Sequence, residues 1–249
     1  MLPKAFLVIL ALCCCSLNLH AQDLPDADTI CKKEKPCAND LIAPAALITA
    51  SALVSIDYQH GINRQAHRWT KGNRHHCHID NYTRFLPSAA YLAIGELGIG
   101  AKHPLRERLA VFATSHAVMF ITGYGLKGIV SEQRPDSSDH HSFPSGHVAL
   151  AFTGAELLRA EYGTACGVTG YAVASSVAVM RLYNNRHWLG DVLAGAAIGI
   201  LSARIGYWLL PCEKRLFGWS ENKHQALVSA FPAYDVQRRA LGLALVARF

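Results

Sequence analysis

The chain has 249 residues, 51% hydrophobic and only 17% charged, with a formal net charge of +6 and a mean hydropathy of +0.15. An ordinary soluble domain carries roughly 25% charged residues, so the composition leans toward a bilayer. The basic residues are dispersed rather than massed in a stripe, which argues against nucleic acid as a partner, and no internal repeat or Pro/Ser-rich linker divides the chain, so one domain is expected.

Taken in chain order, Lys4 and the apolar run from Ala5 to Leu17 read as an export signal over 1–21, with cleavage expected near Ala21. Cys13, Cys14 and Cys15 lie in that run, but none follows the small residue of a lipoprotein cleavage site, so lipidation ranks second. A polar segment, 22–40, comes next and is expected in the periplasm. In it Cys31 and Cys37 flank Lys-Lys-Glu-Lys-Pro, a spacing that can close a small disulfide loop in an oxidising compartment. The odd number of cysteines left beyond the leader argues against a disulfide scaffold.

Apolar segments at 41–56, 86–101, 109–126, 148–160, 164–180 and 190–210 predict an all-α, membrane-associated bundle of about six helices over 41–212. Several fall short of the ~20 residues of a full span and are rich in Gly and Ala, which suits helix-to-helix packing. Pro104 and Pro211 are expected just outside helices, and Gly163 between two. Lys102, Arg106 and Arg108 are expected in a cytoplasmic loop by the positive-inside rule. Segment 41–56, short and containing Pro44, is then expected to lie along the interface or on the bundle without crossing. In the tail, 213–249, Leu241, Leu243, Leu245, Ala247 and Phe249 alternate with the period of a strand; the favoured expectation is an amphipathic tail packed on the helices.

Three blocks at helix edges carry the chemistry: Lys127 with Arg134-Pro135 after six intervening residues, Pro144-Ser145-Gly146-His147, and Arg181, His187 and Asp191. The guanidinium fork and the ammonium point charge suit a phosphate group, which Lys127, Arg134 and Arg181 can supply. The Pro-Ser-Gly-His block opens an apolar helix, whose free N–H groups favour an anion, and Gly146 lets the backbone approach closely. Two histidines then complete a covalent mechanism, one attacking phosphorus and the other protonating the leaving oxygen. With helix already formed at His187, Asp191 four residues on shares its face and can accept the Nδ1 proton, leaving Nε2 free to attack.

Together, in this order and at these spacings, the blocks resemble the type-2 phosphatidate phosphatase family, closely from Lys127 to Asp191 and loosely from Leu86 to Leu210. The resemblance implies that His187 is the nucleophile, His147 the general acid and Asp191 the group that orients the nucleophile, with Lys127, Arg134, Ser145, Gly146 and Arg181 binding phosphate. It implies an enzyme with its phosphate site at one end of the bundle and no metal or other cofactor. Met180 departs from the pattern, since the family usually has Ser before the arginine of the third block. The implied partners are a membrane and a lipid-borne phosphate, with lipid A phosphate and undecaprenyl diphosphate favoured, in the inner membrane with the site facing the periplasm. The oligomeric state is left open. A vanadium-dependent haloperoxidase, a soluble periplasmic acid phosphatase and a non-catalytic membrane protein are the alternatives.

Outside the blocks, His75, His76, Cys77 and His78 are spaced too closely for a structural zinc site and are expected in a polar loop with Arg64, His67, Arg68 and Lys71, near a lipid headgroup. His140 and His141 are expected as solvated loop residues. Glu96, His116, Glu156 and Arg204 interrupt apolar segments and are expected to form structural pairs between helices. Trp188 and Trp208 are expected either as interfacial anchors or in the core.

Overall fold

The computed structural model describes residues 38–56, 61–70, 78–219, 227–235 and 240–248. The leader, the Cys31/Cys37 pair and residues 75–77 of the histidine cluster lie outside them. Among the described residues are helices α1 (Ala38–Ile56), α2 (Ile62–Thr70), α3 (Asp80–Thr83), α4 (Leu86–Glu96), α5 (Leu105–Ile129), α6 (Gly146–Tyr162), α7 (Thr164–Tyr183) and α8 (Leu189–Leu216). The expected helical bundle is present, and α1 and α4 to α8 fall on the six apolar segments. Four of these, α1, α5, α7 and α8, are long and apolar enough to cross a membrane.

Several boundaries differ from the sequence reading. Pro104 caps α5 and Gly163, at φ +87°, joins α6 to α7 as expected. Pro211 instead lies inside α8, which continues to Leu216. Helix α1 has 19 residues and is largely exposed, with the length and apolarity of a span rather than an interfacial segment. It runs antiparallel to α8: Asp40 near its start pairs with Arg204, while Ser51 Oγ donates to the Gly190 carbonyl at 2.8 Å. The tail forms an antiparallel hairpin of β1 (Leu227–Asp235) and β2 (Ala240–Arg248), with Leu227 opposite Arg248 and Asp235 opposite Ala240. The period-two pattern is therefore a strand signal, realised as β2.

The polar residues inside the apolar segments pair as expected. Glu156, 1% exposed, accepts from Arg159 at 2.7 Å, Tyr171 at 2.6 Å and Arg204 at 2.9 Å. His116 meets Ser88 Oγ at 3.1 Å and donates from Nδ1 to the Phe112 carbonyl at 2.8 Å. Glu96 meets Arg108 at 2.5 Å. That pairing corrects the expectation for Arg108, which is not a loop residue: it is buried and also donates to the Tyr162 hydroxyl at 2.7 Å. Losing one partner of such a buried pair costs about 3–5 kcal/mol, because the remaining charge is left uncompensated.

The contact that positions the site is between α6 and α8. A Cβ on Gly195 would lie 2.6 Å from the Ser145 carbonyl oxygen, and one on Gly199 would lie 2.4 Å from that of Ala149. The two backbones therefore touch, and the Ser145 N–H donates to the Asp191 carbonyl at 3.1 Å. Beneath this contact Val148, Val192 and Ala196 are buried together. Gly195→Ala should lower stability by about 1–3 kcal/mol through overpacking against backbone that cannot yield. Gly125→Ala, where a Cβ meets open space, should be neutral or slightly stabilising. Thermal unfolding of the two variants in detergent checks this, and equal melting temperatures would contradict it.

Candidate active site

The residues of the three blocks converge at the end of the bundle where α6 and α8 begin and α5 and α7 finish. A cavity of about 180 Å³ opens there, lined by His78, Asp80, Asn81, Arg134, His147, Arg181, Asn184 and Arg186. Ser145 caps α6 and is wholly buried; among the described residues its hydroxyl has no hydrogen-bond partner, while Gly146 beside it is exposed with open space on its Cα. A buried hydroxyl at a helix N-terminus is a donor that an anion's oxygen would satisfy.

His187, 4% exposed, is near enough for its charge to act on His147 but lines a separate small pocket with His67, Asn185 and Trp188 rather than this cavity. Its Nδ1–H donates to the Ser142 carbonyl at 2.9 Å, whereas the Asp191 carboxylate stands 3.6 Å away. The expected direct carboxylate contact is thus corrected. Helix α8 begins only at Leu189, so His187 precedes it and a helical face is not shared. Asp191 instead accepts from the Trp188 N–H at 2.8 Å, capping the first turn of α8, and from Ser142 Oγ at 2.5 Å. It thereby holds Ser142, whose carbonyl accepts from the imidazole. Burial is the main cause that keeps the His187 imidazole neutral below the ordinary range, opposed by Asp191 and aided by Arg181.

The cations are partly matched by carboxylates. Arg181 pairs with Asp80 at 2.8 Å, Arg134 with Asp139 at 2.8 Å and Arg186 with Asp136 at 3.1 Å. Lys127 donates to the His141 carbonyl at 2.8 Å and stands behind the loop rather than among the residues lining the cavity. His147 faces Asn81 Oδ1 at 2.9 Å and Arg84 at 3.0 and 3.2 Å. Burial first, then the charges of Arg181, Arg84, His187 and Arg134, push its pKa down to about 3.

Loop 131–142 is tied to the α7–α8 turn by Trp188, whose Nε1–H donates to the Gln133 carbonyl at 2.8 Å while its ring meets His67 edge-on at 5.2 Å. His67 in turn contacts Asn185 Oδ1 at 3.2 Å. The basic segment that sequence placed near a headgroup therefore reaches the site from behind through His67, and through His78 in the cavity wall. His140 and His141 are exposed, as expected.

Sequence reasoning missed Asp80, Asn81, Arg84, Glu132, Ser142 and Arg186. The polar run Asp80-Asn81 with Arg84, directly before the apolar segment at Leu86, has the same helix-edge placement that marked the three blocks. Ser142 acts through its carbonyl, which no residue type announces.

Residues 108–215 match the family described as the PAP2 superfamily. This segment is a PAP2-superfamily domain. The chain is 36% identical over 179 residues to the lipid A 1-phosphatase of Porphyromonas gingivalis, an alignment covering 70% of this chain and 40% of that protein, so it spans well under half of this relative. Among solved structures it is similar to Aquifex aeolicus LpxE, with TM-score 0.46 and 23% identity, covering 59% of this chain and 96% of that one. It is also similar to a transmembrane PAP2-type phosphatidylglycerolphosphate phosphatase from Bacillus subtilis, with TM-score 0.41 and 18% identity, covering 79% and 92%.

One carboxyl of this PAP2 domain has an unusual environment. Burial, and then the charge and hydrogen bond of Asp191, raise the Glu132 pKa to about 7, so Glu132 is the protonated partner of that pair. In the unfolded chain it ionises near the ordinary value of 4.5, and the raised folded value therefore favours folding at low pH and loses that stability as pH rises toward 7. Glu132→Gln keeps a donor without titrating. Its melting temperature relative to the parent should rise steadily from pH 4.5 to about 7 and then level off; a difference independent of pH would contradict the assignment.

Proposed function

We propose that the chain is a metal-independent phosphatase that hydrolyses a phosphate monoester or diphosphate on a membrane lipid through a phosphohistidine intermediate. The observation that carries this reading is the cavity itself: Arg134, Arg181 and His147 line it, and His187 lies behind it with Nδ1–H committed to the Ser142 carbonyl.

In the first step His187 Nε2 attacks phosphorus, the bond from phosphorus to the ester oxygen breaks with its electron pair on that oxygen, and protonated His147 gives it a proton. In the second, water attacks the phosphohistidine and passes its proton to His147, and orthophosphate leaves. Arg134, Arg181, the Ser145 hydroxyl and the free N–H groups at the start of α6, beginning with Gly146, stabilise the charge on the equatorial oxygens, and Lys127 adds positive charge from behind the loop. The low pKa of the phosphate-free His147 rises once a dianion offsets the surrounding cations, which arms it as the acid.

A lipid substrate is supported by the exposed apolar side chains Ile79, Tyr82, Phe85 and Leu86, adjacent in sequence to Asn81 and Arg84. The relative's name favours lipid A phosphate over undecaprenyl diphosphate. Phosphate release from a panel of both lipids, phosphatidate and phosphatidylglycerol phosphate, in detergent with EDTA, tests the reading. We expect lipid turnover that survives chelation, abolition by His187→Ala, and for His147→Ala a loss of about 10²–10⁴-fold on alkyl esters but a smaller one on para-nitrophenyl phosphate. Loss of activity on chelation, restored by zinc or magnesium, would overturn metal independence. Halide oxidation with vanadate and peroxide would favour the haloperoxidase alternative.

The site is proposed to face the periplasm from the inner membrane. Helix α1 gives this a consequence: it ends at the site end, so a periplasmic site requires the chain to enter α1 from the cytoplasmic side. A leader cleaved near Ala21 would deliver the opposite orientation. With other cysteines replaced, a cysteine at Asn81 should react with an impermeant reagent from the periplasm and one at Arg106 should not; the reverse pattern would place the site in the cytoplasm.

A further inference from the structure

Arg84 stands apart from the other arginines at the cavity. Arg134, Arg181 and Arg186 each meet a carboxylate, whereas among the described residues Arg84 pairs with none. Its Nε donates to the Asn81 carbonyl at 3.1 Å, its guanidinium lies 4.6 Å over the Phe85 ring, and one terminal nitrogen approaches both ring nitrogens of His147, at 3.0 and 3.2 Å.

That last contact has a chemical consequence. A nitrogen nearly equidistant from both ring nitrogens sits over the face of the imidazole rather than on an in-plane lone pair, while Nε2 meets the Asn81 Oδ1 acceptor at 2.9 Å. The guanidinium charge at that distance opposes a second positive charge on the ring. As placed, Arg84 disfavours the acid form of His147. Around His147 stand Asp80, Asn81 and Arg84 from the α3 region, Arg134 from the loop, Arg181 from α7, and Arg186 and His187 from the turn before α8. Asp80 is already paired with Arg181, so no carboxylate there holds Arg84 in place.

We propose that Arg84 is a further phosphate-gripping cation and a positioning residue for His147: it masks the imidazole while the site holds no phosphate, and turns to the phosphate oxygens when substrate enters. Its release removes the opposing charge, so His147 takes a proton from solvent, and that same proton goes to the leaving oxygen. This rests on the phosphatase reading above and extends it. An acid that forms only with phosphate in place also limits unproductive protonation of the empty site.

The test compares the parent with Arg84→Gln and Arg84→Lys in detergent, using competitive inhibition by inorganic phosphate and the pH dependence of kcat on an alkyl phosphate. Arg84→Gln should weaken inhibition by inorganic phosphate about 10-fold, the scale of one lost charge-assisted hydrogen bond. Removing a cation from beside His147 should also move the alkaline limb of the profile upward by about half a pH unit. Arg84→Lys, a point charge without the planar fork, should weaken phosphate inhibition only about threefold and leave the limb near that of the parent; should Arg84→Gln fail to fold, the inhibition constant of this variant decides. A residue that merely supports the fold would move neither the inhibition constant nor the limb, and unchanged values of both overturn the proposal. A parent protein that turns over no phosphate ester overturns the phosphatase reading instead, so the two failures are distinct.

Discussion

Asp191 is a carboxylate buried to 1% exposure at the first turn of α8, and a charge in that position is tolerable only when donors surround it. The Trp188 N–H, the Ser142 hydroxyl and the Glu132 carboxyl provide them. Two of the three donors come from the loop between α5 and α6, so satisfying this one group draws the loop onto the start of α8. The Ser142 carbonyl thereby lands on His187 Nδ1, and the imidazole's tautomer and direction follow. The carboxylate thus organises the backbone that holds the His187 imidazole and itself lies 3.6 Å from Nδ1.

The remaining geometry follows from helices that run alternately up and down and from small residues that let two of them meet. Helices α5 and α7 finish at the end where α6 and α8 begin, so blocks far apart in sequence share one rim. Gly195 and Gly199 bring α8 against the α6 backbone, which fixes the Ser145 turn over the third block. Ion pairs in the interior, such as Glu156 of α6 with Arg204 of α8, hold the helices in register where water does not compensate charge. The site itself is built at the rim, where a lipid-borne phosphate can meet cations without any charge crossing the apolar layer.

Much of this was legible in sequence because the signals were local. Apolar runs located the six longer helices, and Gly163 and Pro104 marked real boundaries. Pro211 misled because a proline near the end of a long helix can be carried within it when its neighbours pack. The hairpin was visible as alternation at Leu241–Ala247, but its partner strand at Leu227–Asp235 has no clean period. At the site, charged and nucleophilic residues announced themselves, and His147, Arg134 and Arg181 do line one cavity. Ser142 and Asp191 were harder: spacing gave two residues on one helical face, whereas the helix starts after His187 and the working contact is a carbonyl. Arg84 and Asp80 escaped because they lie before the matched domain, and only the fold brings them to it.

The central claim is that phosphorus passes through the imidazole of His187. Rapid mixing of the His147→Ala protein, slowed in the second step, with para-nitrophenyl phosphate, whose leaving group does not need the acid, followed by alkaline quench and mass spectrometry of the peptides, tests it most directly. The account predicts a phosphoryl group on His187, absent when that residue is also replaced. Turnover with no phosphoprotein, or a phosphoryl group on another residue, would contradict it.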